Sequence, residues 1–151
     1  MGLMGNNICV QVALVVADME KAIKKCTEIF GEPPVNEVVT DPYEQSKCTY
    51  RGNPSDARAK LAFFSLGEQI MLELIEPDEN PSTWRECLEK NNGKSCLHHI
   101  AFNINDMPVI LKKFNDIGVA TVQTGDYEGG RYGYIDEIED LGLTIELLES
   151  L

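Results

Sequence analysis

The strongest constraint on this chain is that it contains one module twice. Aligning Gln11–Met19 (QVALVVADM) on His99–Met107 (HIAFNINDM) gives a constant offset of 88 residues. At that offset Ala13/Ala101, Asp18/Asp106, Met19/Met107, Lys24/Lys112, Lys25/Lys113 and Ile29/Ile117 are identical. The closing segments match too, Glu73-Leu-Ile-Glu76 against Glu146-Leu-Leu-Glu149, now offset by 73 residues. The change of offset means that the middles of the two copies differ in length. A repeat of this size restricts the fold to two copies of one supersecondary unit.

Periodicity and breakers outline the unit. Ile8–Val16 reads as a strand, apolar enough to be covered on both faces. Asp18 can cap a helix over Met19–Phe30, whose stripe is Ala22, Ile23, Cys26, Ile29 and Phe30; Gly31 and Pro33-Pro34 end it. Strands follow at Val35–Thr40, Cys48–Arg51, Ala59–Leu66 and Ile70–Glu76, with turns at 52–56 and at Gly67-Glu68. Pro77–Pro81 breaks the pattern and precedes a short helix over Thr83–Lys90. The order then repeats: strand 97–104, a helix over 107–117 capped by Asp106 and closed by Gly118, strand 119–123, a mobile Gly-rich loop over 125–130, and strands Tyr132–Asp136 and Leu143–Leu148. Each half is β-α-β-β-β. We expect a single domain over 1–151, with modules at 8–76 and 96–150 joined by the linker 77–95.

Composition excludes several function classes. At 151 residues the chain can bury a sizeable core. A formal charge of −12 argues against nucleic acid and anionic membrane as partners, both of which attract basic surfaces. The apolar run at Val10–Val16 is far too short to span a bilayer, and no secretory leader is recognisable. Five cysteines without a CxxC pair read as reduced thiols, so a cytoplasmic protein is expected.

The chemistry concentrates on four polar residues at equivalent places of the two copies. His98 and His99 are the only histidines. Alternation places His98 with Ile100, Phe102 and Ile104 toward the helices, and His99 with Ala101 and Asn103 on the opposite face. Gln11 stands in the first copy where His99 stands in the second, and Glu73 where Glu146 stands. A carboxylate inside an apolar strand is costly unless paired, hydrogen-bonded or bound to metal. If the modules pack edge to edge, the four would converge, and one imidazole with three oxygens suits Zn, Ni, Co, Mn or Fe(II). Gln11 could equally hydrogen-bond over a three-ligand site. Arg51, Arg58 and Lys60, with Arg131, could clamp a carboxylate or phosphate, or simply guard a strand edge. Tyr127, Tyr132 and Tyr134 could line the cavity mouth.

The double β-α-β-β-β plan, with VALVVADMEKA, LGEQIMLELIEP, LHHIAFNINDM and LGLTIELLE, resembles the vicinal oxygen chelate superfamily, the glyoxalase fold. The resemblance covers nearly the whole chain and implies an α+β protein with a curved, cup-shaped mixed sheet around a divalent metal. It leaves the branch open. The spacing of LGEQIMLELIEP and CLHHIAFNI is similar to methylmalonyl-CoA epimerases, whereas a Gln–Glu–His–Glu set matches one branch of glyoxalase I. Either branch implies abstraction of an α-proton from a small α-hydroxy carbonyl, thioester or thiohemiacetal, with an enediolate or enolate stabilised at the metal. The resemblance points to Glu146 as the base, with its counterpart Glu73 second, and to a homodimer. The rival readings are an extradiol dioxygenase, which would need His at position 11, and a non-catalytic binder, which would lack the metal ligands.

Overall fold

The computed structural model describes residues 2–151. The first copy opens with β1 (Cys9–Val15) and α1 (Met19–Phe30). Asp18 caps α1 by accepting from the Lys21 amide at 3.1 Å, and Gly31 ends it at φ 82°, a conformation glycine adopts without strain. Next come β2 (Asn36–Val39), the single-turn α2 (Tyr43–Ser46), and the two-residue strands β3 (Thr49–Tyr50) and β4 (Asn53–Pro54). The copy closes with β5 (Ala59–Leu66) and β6 (Ile70–Pro77), and α3 (Thr83–Lys90) follows. The second copy consists of β7 (Cys96–Asn103), α4 (Met107–Asp116), β8 (Thr121–Tyr127), β9 (Gly130–Glu137), α5 (Ile138–Leu141) and β10 (Leu143–Ser150).

All ten strands join one mixed sheet, in the order β2-β5-β6-β1-β7-β10-β9-β8-β3-β4. The repeat appears as a pseudo-twofold between β1 and β7. Those two run antiparallel, while β1 pairs in parallel with β6 and β7 in parallel with β10. The outer face is covered by the two repeat helices. Met19 of α1 packs with Val16, Ala62, Phe64, Leu72 and Leu74, and Ile110 and Phe114 of α4 pack with Phe102, Ile104, Ile145 and Leu147. The α+β, cup-shaped mixed sheet expected from the sequence is the fold observed.

The inner face curls around a cavity of about 520 Å³, lined from both flanks of the sheet by Asn36 and Val38 on one side and Asp126 and Tyr127 on the other. Helix α3 packs Trp84 and Leu88 against Ala13, Val15 and Ile75 and closes one end of the cup. No helix among the described residues is long and apolar enough to cross a membrane.

Three local expectations need correction. The strand expected over Cys48–Arg51 shrinks to Thr49–Tyr50, and it pairs with β8 of the other copy, Thr49 opposite Thr124. The segment 125–130 is no mobile loop: β8 continues to Tyr127 and β9 begins at Gly130. Two of its glycines, Gly125 and Gly130, serve close packing. Gly125 pairs with Tyr132 and Gly130 with Tyr127, and a β-carbon on Gly125 would stand 2.5 Å from the Tyr132 ring. Finally, the Asp106 side chain does not cap α4. The Glu149 carboxylate, reaching over from β10, accepts from the Asp106 and Met107 amides instead.

Candidate metal centre

Four adjacent central strands each contribute one polar side chain to the floor of the cup: Glu73 from β6, Gln11 from β1, His99 from β7 and Glu146 from β10. The pairing register explains their convergence. Ala13 lies opposite both Glu73 and His99, and Ala101 lies opposite both Gln11 and Glu146. Directly paired residues share a face, so each alanine sits between two longer side chains that close over it. Ala13 and Ala101 are equivalent in the repeat, and neither has any exposed surface. A larger residue at either place would occupy the space in which the four polar groups meet.

His99 Nε2 is the centre of that meeting. It lies 2.8 Å from Glu146 Oε2, 3.1 Å from Gln11 Oε1 and 3.8 Å from Glu73 Oε2. The ligand atoms of Glu73, His99 and Glu146 all fall within 4.8 Å of one another, and all three residues are buried. Despite its proximity to His99, Glu146 Oε2 makes no aligned hydrogen bond. Burial drives the His99 imidazole down to about 3, so it is neutral with a free lone pair. Burial also pushes the Glu146 carboxyl up to about 8, and burial together with the charge of Glu146 raises Glu73 well above the usual carboxylate range. Two buried carboxylates facing each other without a cation are each other's problem. A divalent ion fits this donor set. It would neutralise both carboxylates, and metal–ligand bonds of roughly 2.0–2.2 Å place neighbouring donors about 3 Å apart, near the spacing seen here. Gln11, Glu73, His99 and Glu146 would hold it.

The other nitrogen of His99 reveals a residue that alternation misassigned. A register shift between β1 and β7 sets Ala13 opposite His99 but Leu14 opposite Leu97, so His98 is the extra residue of a bulge. The bulge turns His98 inward rather than toward the helices. Its Nδ1 lies 2.7 Å from His99 Nδ1, its Nε2 lies 3.1 Å from Thr83 Oγ1, and its ring stands edge-on to Tyr134. With the His99 Nε2 lone pair directed at the donor set, His99 Nδ1–H donates to His98 and His98 Nε2–H donates to Thr83. Thr83 Oγ1 donates to Gln123 Oε1, and Gln123 Nε2 donates to the Tyr132 hydroxyl at 3.0 Å. Every group in this buried chain then has a partner, so a His99 that turns its Nε2 lone pair to a metal leaves none of them unsatisfied. Two adjacent histidines at a strand start were the one sequence signal that could have pointed to it.

The remaining sequence candidates fall in different places. Tyr127, Tyr132 and Tyr134 line the cavity, joined by Trp84, whose indole N–H donates to the Tyr134 hydroxyl at 2.9 Å. The arginines do not. Arg51 pairs with Glu86 at 2.9 Å beside Tyr50, Arg58 donates to the Thr40 carbonyl at 2.8 Å outside the cup, and Arg131 holds the Glu149 carboxylate that caps α4. None of the three lines the cavity, because each was placed by proximity in sequence while its partner is remote.

The family described as the glyoxalase/bleomycin resistance protein/dioxygenase superfamily matches residues 10–135. No curated protein matches the sequence. Among solved structures, a methylmalonyl-CoA epimerase from Mycobacterium tuberculosis superposes with a TM-score of 0.63 at 22% identity, over 95% of this chain and 87% of that one. A Streptomyces coelicolor methylmalonyl-CoA epimerase variant in complex with 2-nitronate-propionyl-CoA gives 0.64 at 21%, over 95% and 97%. A hypothetical protein from Bacillus halodurans gives 0.65 at 17%, over 95% and 94%. At these identities the likeness is one of fold.

Proposed function

Because the chain belongs to the glyoxalase/bleomycin resistance protein/dioxygenase superfamily, we propose that it is a metal-dependent lyase or isomerase, epimerases included, that removes an α-proton from a small carbonyl substrate. The observation that carries this reading is the pair Glu73 and Glu146, buried at repeat-equivalent positions and converging with His99 at the floor of a cavity. Gln11, Glu73, His99 and Glu146 would hold a divalent ion, which would supply Lewis-acid stabilisation of negative charge developing on adjacent substrate oxygens.

The protein's own groups do the rest. The buried Glu146 carboxylate takes the α-proton, and the C–H electron pair moves onto the neighbouring carbonyl oxygen. Return of the proton to the adjacent carbon gives an isomerised product. Donation of Glu73's own proton to the opposite face inverts the original carbon, with the abstracted proton left on Glu146. Trp84, Tyr132 and Tyr134 wall the floor against water, so the carboxylates act in a medium of low polarity. Methylmalonyl-CoA epimerases among the structural neighbours support proton transfer of this kind. The reading includes a homodimer, supported by the open edge of β2, where Val38 and Val39 are exposed.

The test combines metal content with isotope exchange. Wild type should take up near-stoichiometric divalent metal that His99→Ala loses. It should also wash deuterium from D2O into the α-position of a responsive α-hydroxy carbonyl, thioester or hemithioacetal, and Glu146→Gln should not. No uptake of Co, Ni, Zn or Mn and no exchange would sink the enzyme reading.

A further inference from the structure

The cavity wall has a one-sided charge. Five carboxylates line it, Asp41, Glu73, Asp126, Glu128 and Glu146, and no lysine or arginine does. Glu73 and Glu146 belong to the floor and would be neutralised by the ion they hold. Asp41, Asp126 and Glu128 are exposed and are the charged residues left in the lining. They come from two segments, one following β2 and one at the β8–β9 turn, so the carboxylates approach the cavity from both flanks of the sheet.

Lys47, between the lining residues Ser46 and Cys48, sets its ammonium over the Tyr43 ring at 5.6 Å, and the other cations near the cavity are engaged elsewhere. Arg51 and Lys90 are both bound to Glu86, Arg85 donates to the Asp78 and Pro77 carbonyls, and Arg131 is bound to Glu149. Lys60 pairs with Glu76 on the outside of β5 and β6, and Arg58 lies in the same external groove. The net charge of −12 extends the bias beyond the cavity. The body of the cavity is aromatic and aliphatic: Leu61, Phe63, Trp84, Tyr127 and Tyr132. Aromatic faces beside carboxylates attract a cation and offer nothing to an anion.

We infer that the substrate is a small amine-bearing or uncharged compound whose adjacent oxygens reach the floor, and that phosphorylated acyl carriers are rejected at the acidic rim. This rests on the reading of the floor as a metal-loaded, oxygen-chelating centre. It also sets this chain apart from its structural neighbours that bind coenzyme A esters, whose phosphates would have to leave the cavity past Asp41, Asp126 and Glu128.

Trp84 is the only tryptophan and lines the cavity, so its fluorescence reports occupancy. The experiment titrates zinc-loaded full-length protein, its zinc content measured, with three chelators that share a head group. These are para-aminomethyl-benzohydroxamic acid, benzohydroxamic acid and para-phosphonomethyl-benzohydroxamic acid. The amine should bind at least about tenfold more tightly than the phosphonate at low salt, with benzohydroxamic acid between them, and added salt should narrow the gap. Asp126→Asn combined with Glu128→Gln should narrow it too while leaving the uncharged probe unchanged. Equal or tighter binding of the phosphonate would overturn the inference, and so would a gap indifferent to salt and to the double substitution. So would the failure of all three probes to bind protein that holds its zinc. The metal reading fails separately: its failure is a protein that takes up no zinc, or probes that bind equally with and without it, and the charge ranking can then still be read from the same titrations.

Discussion

His98 Nδ1 meets His99 Nδ1 at 2.7 Å, although the two residues are neighbours in one strand. Regular pleating would send them to opposite faces; the bulge opposite Ala13 brings them to the same one. His98 then accepts the proton of His99 Nδ1 and leaves His99 Nε2 aimed at the three oxygens. Replacing His98 with phenylalanine keeps the volume and removes the acceptor. We expect metal affinity, read by competition with a chromogenic chelator, to fall by about 10–100-fold. Cobalt-loaded His98→Phe should also show an altered visible spectrum, which a purely structural role for His98 would not produce. Unchanged affinity and spectrum would show that His98 only fills space.

Glu73 and Glu146 work against stability unless a cation sits between them. Both carboxyls are deeply buried and each raises the cost of ionising the other. Glu73→Gln and Glu146→Gln should each lose metal binding yet raise the melting temperature of the metal-free protein by several degrees near neutral pH, by removing one buried carboxyl that must take up a proton on folding. Gln11→Ala should weaken metal binding less than either. Differential scanning calorimetry with and without zinc distinguishes the cases, and a destabilised metal-free Glu73→Gln would contradict this account.

Ala101 is the spacer under Gln11 and Glu146. Ala101→Leu should overpack the floor at a cost of about 1–3 kcal/mol in urea unfolding. It should lower metal affinity further than stability, because the added side chain lies where the donors converge. Ala62→Leu, at an equally buried alanine on the outer face under α1, provides the control: similar instability with metal binding intact.

The acid limb of stability should depend on Glu86. Partial burial alone would raise its carboxyl, but bonds from Lys90, Tyr50 and Arg51 outweigh that and hold it at about 2. A carboxylate depressed in the fold stabilises it fully above the unfolded value of 4.5, and that stabilisation is lost as pH falls toward about 2. Urea midpoints measured near neutrality and at about pH 3 should therefore drop more for wild type than for Glu86→Gln. Equal drops would show that the Glu86 cluster is too solvated to matter.

The repeat made much of this legible in advance. The matched segments around Gln11 and His99, and around Glu73 and Glu146, already contained the two central strand pairs and the donor set that meets in the cup. Local readings failed where the deciding partner is far along the chain or where strand regularity breaks. Gly125 and Gly130 looked like a loose loop, because nothing nearby announces that the rings of Tyr132 and Tyr127 lie over them. Arg131 looked available because Glu149, which holds it, is on another strand. The inward turn of His98 depends on one extra residue in the pairing of two strands, and single-strand alternation cannot register that.

The short pairing of β3 with β8 links Thr49 to Thr124 across 75 residues of chain, with a 2.7 Å hydrogen bond between their hydroxyls. During synthesis, the first copy can therefore fold α1 onto β5 and β6 while β3 still has no strand of the second copy to pair with. Its pairing with β8 has to wait until most of the second copy has emerged, and it then adds a second seam to the β1–β7 pairing between the halves. Neither half is a finished object that was merely duplicated and tethered. A chain cut in the linker should yield two fragments that assemble only with each other.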